Sequence, residues 1–260
     1  HTRLLRVSWA RDVYKRQIFY MENLQSDHLD TQNLYRDMQK RTGGEIYIGV
    51  VGPVRTGKST FIKRFMDVAV LPYMEDAAQK TRAQDELPQS AGGRTITTTE
   101  PKFIPQEAVE LKLAGEVTIR VRLVDCVGFM VEGAAGHLED GAERLVKTPW
   151  YDHEIPFTQA AELGTRKVIT DHSTIGVVVT TDGSFSDLPQ ETYLDAENQA
   201  ISELKKLHKP FLVLVNSSHP SSRTAREAAE RIEKQHSVTA MPVNCAQLSE
   251  EDIRQIMEQI

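Results

Sequence analysis

The chain has 260 residues, 40% hydrophobic and 26% charged, with a formal net charge of −6. That size and balance fit one ordinary domain with a sizeable core. No run of eighteen apolar residues occurs, which excludes a membrane-spanning helix of the usual kind, and the acidic balance argues against nucleic acid as a partner, since that needs a basic footprint.

Residues 1–20 differ from the rest: Arg3, Arg6, Arg11, Lys15 and Arg16 stand against one acid, Asp12. The stretch RDVYKRQ reads as a translated linker scar and Met21 as a start, so residues 1–20 are set aside as a non-native leader. Residues 21–44 are expected to hold one short helix, with Leu34, Tyr35 and Met38 on one face and Gly43-Gly44 as its stop. The main domain is expected over 45–260. Ile46–Val51 reads as a buried strand. Ser59–Val70 reads as a helix, with Phe61, Ile62, Phe65, Met66 and Ala69 at core spacing, ended by Leu71-Pro72.

Residues 73–94 read as a polar surface excursion with one helical piece. The alternating segment Val117–Asp125 is the next strand. A second irregular insertion, 129–171, closes in a helix over Phe157–Thr170. The rhythm then becomes regular: strand Ile175–Thr180, helix Thr192–Leu207, strand Phe211–Val215, helix Ser222–His236, strand Val238–Asn244, and a helix capped by Ser249 with Asp252. Strands alternating with helices predict an α/β, three-layer fold with a mostly parallel central sheet of five to six strands. Cys126 and Cys245 each end an apolar run and read as buried, reduced thiols. The eight histidines show no metal-ligand spacing.

The chemistry is concentrated in Gly52-Pro53-Val54-Arg55-Thr56-Gly57-Lys58-Ser59. This is a full phosphate-loop pattern, placed between a strand and an amphipathic helix, as the physics requires. Gly52 and Gly57 permit close backbone approach, successive N–H groups form an anion nest, and the helix beginning near Lys58 adds its positive end. Lys58 is expected on the β and γ phosphates, the Ser59 hydroxyl on Mg²⁺, and Pro53, Val54, Thr56 and Thr60 around the nucleotide. Arg55 either touches the γ-phosphate or faces solvent.

Asp125, in Leu123-Val124-Asp125-Cys126-Val127-Gly128, ends an apolar strand, where an acid is costly unless it meets a cation. It is the expected second holder of Mg²⁺, with the Gly128 N–H offered to the γ-phosphate. Thr98 and Thr99, ahead of Thr97, are candidates for a switch threonine that completes the metal shell and supports hydrolysis. The alternative is a threonine run on a sheet edge. These elements together give a P-loop nucleotide triphosphatase of GTPase-like, TRAFAC-type topology.

Two departures narrow that reading. Many GTPases carry a water-orienting glutamine directly after the glycine of this strand-end motif. Phe129 stands there instead, so turnover is expected to be slow. The guanine reader of such folds has the form NKxD, whereas Phe211–Val215 runs into Asn216-Ser217-Ser218-His219. Asn216 is kept as a nucleotide-contacting position, but the lysine and the guanine-reading acid are absent, so ATP is expected rather than GTP. A scaffold that binds nucleotide with negligible turnover and a GTP-type regulatory switch are the alternatives.

Several segments resemble the stage IV sporulation protein A family, the coat-morphogenetic ATPases of spore-forming Firmicutes: RTGGEIYIGVVGPVRTGKSTFIKRFM (41–66), RAQDELPQSAGGRTITTTEPKF (82–103), RLVDCVG (122–128), TPWY (148–151), IPF (155–157) and VVTTDGS (178–184). The most specific is RAQDELPQS, which is neither apolar nor a generic motif. The resemblance implies that Lys58 and Asp125 are the Walker A lysine and Walker B acid, and that Thr98 and Thr99 sense the phosphate. It also implies an ATPase of the mother-cell cytoplasm that polymerises on the forespore surface into the basement layer of the coat. Its partners would then be further copies of itself, other spore coat proteins and, for the full-length protein only, a membrane-anchoring peptide. The family's C-terminal domains are expected to be absent from this chain.

Overall fold

The apolar run after Gly44 becomes strand β1 (Glu45–Val51), buried over its last four residues. The computed structural model describes residues 44–74, 76–88, 100–112, 118–134, 138–139, 142–186 and 188–260. The chain divides into two units, 1–44 with 112–119, and 45–111 with 120–260; the fold described is that of the second. The expected helix within 21–44 and the threonines Thr97, Thr98 and Thr99 lie outside the described residues.

The remaining elements are α1 (Lys58–Phe65), α2 (Ala77–Asp85), β2 (Lys102–Lys112), β3 (Thr118–Asp125), α3 (Phe157–Lys167), β4 (Ile175–Thr181), α4 (Leu194–Lys206), β5 (Phe211–Asn216), α5 (Arg223–His236), β6 (Ala240–Val243) and α6 (Glu250–Gln259). One six-stranded sheet runs in the order β6-β5-β4-β1-β3-β2. The pairs β1–β3, β1–β4, β4–β5 and β5–β6 are all parallel. The mostly parallel α/β architecture read from the alternation of strands and helices is therefore the one observed.

Alternation along the central strands builds the layers. Val178, Val213 and Val215 join one core cluster with Ala196, Ala200, Ile201 and Leu204 of α4 and Ala228, Ala229 and Ile232 of α5. Val177, Val179, Leu212 and Leu214 are equally buried but lie outside that cluster, as residues of the opposite face do. There α1 contributes Phe61, Ile62 and Phe65, and its continuation meets α6, which buries Ile253, Ile256 and Met257. Burying a side chain of this size contributes roughly 1.5–3 kcal/mol, so each layer is held by many such terms.

Helix ends follow their local chemistry. Ser249 and Asp252 form a reciprocal capping box at α6, and Ser222 caps α5 through the Ala225 N–H. Asp76 caps α2, the one α-helix among the described residues of the 73–94 excursion. Helices α1 and α3 each loosen into a π-helical turn, Met66–Val70 and Val168–His172, where continuous helix to Val70 and to Thr170 was expected. The 129–171 insertion holds two short antiparallel pairings, 138–139 with 142–143 and 145–146 with 155–156.

Strand β2 was not expected. Its sequence carries Pro105, two acids (Glu107 and Glu110) and no clean alternation. Such a strand survives at the sheet edge, where a missing N–H costs no ladder bond. Among the described residues no helix is long and apolar enough to cross a membrane.

Candidate phosphate-binding site

The loop between β1 and α1 is shaped by three positive φ angles, at Gly52 (128°), Arg55 (62°) and Gly57 (97°). Gly57 cannot carry a side chain: a Cβ there would lie 2.3 Å from Asn216 Nδ2. It is also the N-cap of α1, and no side chain caps the helix. The first N–H groups of α1 thus lack the usual intrahelical and side-chain acceptors, which is the physical basis of an anion site.

The loop is braced from beneath. Thr56 is fully buried and its hydroxyl reaches both Pro53 O (3.0 Å) and Val179 O at the end of β4 (2.6 Å). Its side chain therefore supports the loop, leaving only its backbone to meet a ligand. Val54 is buried as well. Arg55 is exposed, while Thr60 is half-buried on the first turn of α1.

Lys58, Ser59 and Asp125 converge, as their places in the motifs predict. Ser59 Oγ donates to Asp125 Oδ2 at 3.1 Å. Lys58 Nζ donates to Pro53 O at 2.5 Å. Burial pushes the Lys58 ammonium below its usual range, against the opposing pull of Asp125. It pushes the Asp125 carboxyl above its usual range, opposed first by Lys58 and then by the Ser59 hydroxyl. Asp125 Oδ1 is buried without a hydrogen-bond partner. A buried oxygen of this kind next to a serine hydroxyl suits a hard divalent cation, which takes oxygen ligands directly or through water. No group of three or more potential metal-ligating side chains occurs among the described residues.

Asn216 sits at the end of β5 with both halves of its amide committed. Nδ2 donates to Thr56 O (2.9 Å), and Oδ1 accepts from Cys245 N (3.0 Å). It ties the phosphate loop to the ends of β5 and β6. Ser217, in the place of a reader lysine, is buried, and its hydroxyl accepts from His219 N (3.0 Å).

Two contacts were not legible beforehand. Phe129 is fully buried in the core, and its backbone pairs with the phosphate loop: Phe129 N donates to Gly52 O (3.0 Å) and Val54 N to Phe129 O (2.9 Å). The apolar side chain was the only sequence signal, and it pointed to a missing glutamine rather than to a tether. Gly128 N, expected to face a phosphate, donates to Thr165 Oγ1 on α3 (3.1 Å). Thr165 belongs to no motif, so nothing in the sequence marked it.

Residues 29–260 match the family model described as stage IV sporulation protein A, ATPase domain. The stage IV sporulation protein A of Clostridioides difficile (strain 630) is 50% identical over 228 residues, 88% of this chain and 46% of that protein. Its counterparts in Bacillus anthracis and Bacillus subtilis (strain 168) are each 45% identical over 231 residues, 89% of this chain and 47% of theirs. The chain thus spans about half the length of the curated relatives it matches. A solved crystal structure of an SsGBP mutation variant covers 88% of this chain and 61% of its own, at 13% identity and a TM-score of 0.46, a likeness too slight to bear on function.

Proposed function

Since the chain belongs to the stage IV sporulation protein A family and carries its nucleotide-binding ATPase domain, we propose that it binds ATP with Mg²⁺ and hydrolyses it slowly. The observation that carries this reading is the meeting of Lys58, Ser59 and Asp125 at one strand end, with Asp125 Oδ1 buried and unpartnered.

In this reading Lys58 leaves Pro53 O for the phosphate oxygens and offsets the charge that develops on them. The N–H groups of Arg55, Thr56, Gly57, Lys58, Ser59 and Thr60 hold the phosphates in place. Ser59, Thr98 and Asp125 are the residues that would hold the cation, which supplies further positive charge to the phosphate oxygens when bound. The core position of the Phe129 side chain leaves it no part in orienting water, so that task falls to Thr98 or Thr99, and the expected rate is low. Asn216 braces the loop beneath the nucleotide. The absence of an acid at 219 supports adenine over guanine.

For the whole protein, the proposal extends to assembly. The nucleotide cycle times self-association into the layer beneath the spore coat, at the forespore surface in the mother cell, where other coat proteins and a membrane-anchoring peptide join it. That role is a proposal from family membership.

The test is direct. Lys58→Ala is expected to abolish binding of labelled ATP, and Thr98→Ala with Thr99→Ala to slow phosphate release while leaving affinity largely unchanged. Unaltered ATP affinity in the lysine variant would refute the site, and GTP competing as well as ATP would refute the base preference. A second reading, a nucleotide-binding scaffold with negligible turnover, draws on Phe129; phosphate release no faster than from the lysine variant would establish it instead.

A further inference from the structure

Gly128 stands where its N–H would meet a terminal phosphate, three residues beyond Asp125. It packs directly on the phosphate loop: a Cβ added there would lie 2.3 Å from Gly52 O and 2.5 Å from Lys58 Nζ. Its φ of 100° lies in the left-handed region that favours glycine.

In this structure the Gly128 N–H donates to Thr165 Oγ1, at 3.1 Å. Thr165 is fully buried, one helical turn beyond Ala161 on α3. Its hydroxyl proton is spent on Ala161 O at 2.8 Å, which aims an oxygen lone pair at Gly128. The Cys126 thiol shares this pocket. Burial pushes it up to about 11, so it stays protonated, and it points its own proton at Val50 O, 3.5 Å away. The next residue is pinned on the other side, with Phe129 N on Gly52 O.

One N–H makes one strong hydrogen bond at a time. We propose that Thr165 is a positioning residue for this site: it holds the Gly128 N–H on α3, and a nucleotide's terminal phosphate competes with it for that donor. A triphosphate then draws the 127–128 peptide off α3, whereas a diphosphate leaves it in place. The terminal phosphate is thereby coupled to α3 and, through α3, to the paired segments 145–146 and 155–156. This rests on the reading of the chain as a nucleotide binder.

Thr165→Val removes the acceptor at nearly constant shape. It weakens the arrangement seen here and leaves the phosphate-facing one untouched, so affinity shifts toward the triphosphate. A neutral hydrogen bond of ordinary strength corresponds to about a two- to ten-fold shift. The experiment measures Kd for ADP and for a non-hydrolysable ATP analogue, with Mg²⁺, on the 260-residue wild type, Thr165→Val and Thr165→Ser. The expected result is an ADP-to-analogue Kd ratio raised in the valine variant and restored to the wild-type value in the serine variant. A merely structural role would weaken both ligands alike and leave the ratio unmoved.

An unmoved ratio in Thr165→Val, or an equal rise in Thr165→Ser, overturns the proposal while nucleotide binding stands. A wild type that binds neither ligand overturns the proposal and the reading beneath it together. Should the valine variant fail to fold by circular dichroism, Thr165→Ala removes the same acceptor and carries the same expectation.

Discussion

At the scale of single residues, the site is a set of groups held in costly arrangements by their neighbours. Lys58 and Asp125 are each disfavoured in their charged forms by burial, and each is the other's partial compensation. Removing one leaves an unpaired buried charge, which is why the lysine variant is also expected to lose stability. Gly57 shows the same tightness in the backbone. It has φ 97°, and the nearest obstacle to a Cβ is the amide of Asn216, itself locked between two backbone groups. Gly57→Ala is therefore expected to lower stability by about 1–3 kcal/mol, seen as a lower denaturant midpoint. An unchanged midpoint would mean the loop relaxes freely around the methyl group.

At the scale of elements, the phosphate loop is held to the ends of its neighbouring strands from several sides. Thr56 reaches β4, Asn216 reaches from β5 to the segment after β6, and Phe129 bridges the segment after β3. Asn216→Ala removes two hydrogen bonds and leaves Thr56 O and the Cys245 N–H without them. About 2–4 kcal/mol of stability should go with it, read as a fall in Tm. Nucleotide affinity should fall too if the loop loses its shape, and a variant with normal Tm would show that the brace is dispensable. This role was half legible. Asn216 was identified from the reader motif as a nucleotide contact, but a motif names a position, and its partners Thr56 and Cys245 lie 160 and 29 residues away. Strand β2 was illegible for a related reason: an edge strand with Pro105 answers to its neighbour in the sheet more than to its own pattern.

At the scale of the whole molecule, two thiols report on the core. Burial pushes Cys126 from 9.0 to about 11 and Cys245 from 9.0 to about 12. Below pH 9 both states keep these protons and stability is unaffected. Between about pH 9 and 11–12 the unfolded chain gives up protons that the folded chain retains. The unfolded state then binds fewer protons, and stability falls as pH rises. Denaturant midpoints measured at pH 8 and pH 10 should fall more for the wild type than for Cys245→Ala, the difference isolating that thiol; equal falls would contradict the assignment. In the native chain at pH 8 both thiols should label slowly.

The order of strands and helices apart from β2, the phosphate loop, the acid at Asp125 and the missing guanine reader were all determined by the sequence alone. Each depends on periodicity or on residues close together in the chain, where short-range sterics and burial patterns dominate. The destinations of the long-range hydrogen bonds were decided only by the tertiary structure: the Asn216 amide on Thr56 and Cys245, the Phe129 backbone on Gly52 and Val54, and the Gly128 N–H on Thr165. A backbone N–H carries no sequence signature, and its partner is chosen by which layer packs beside it.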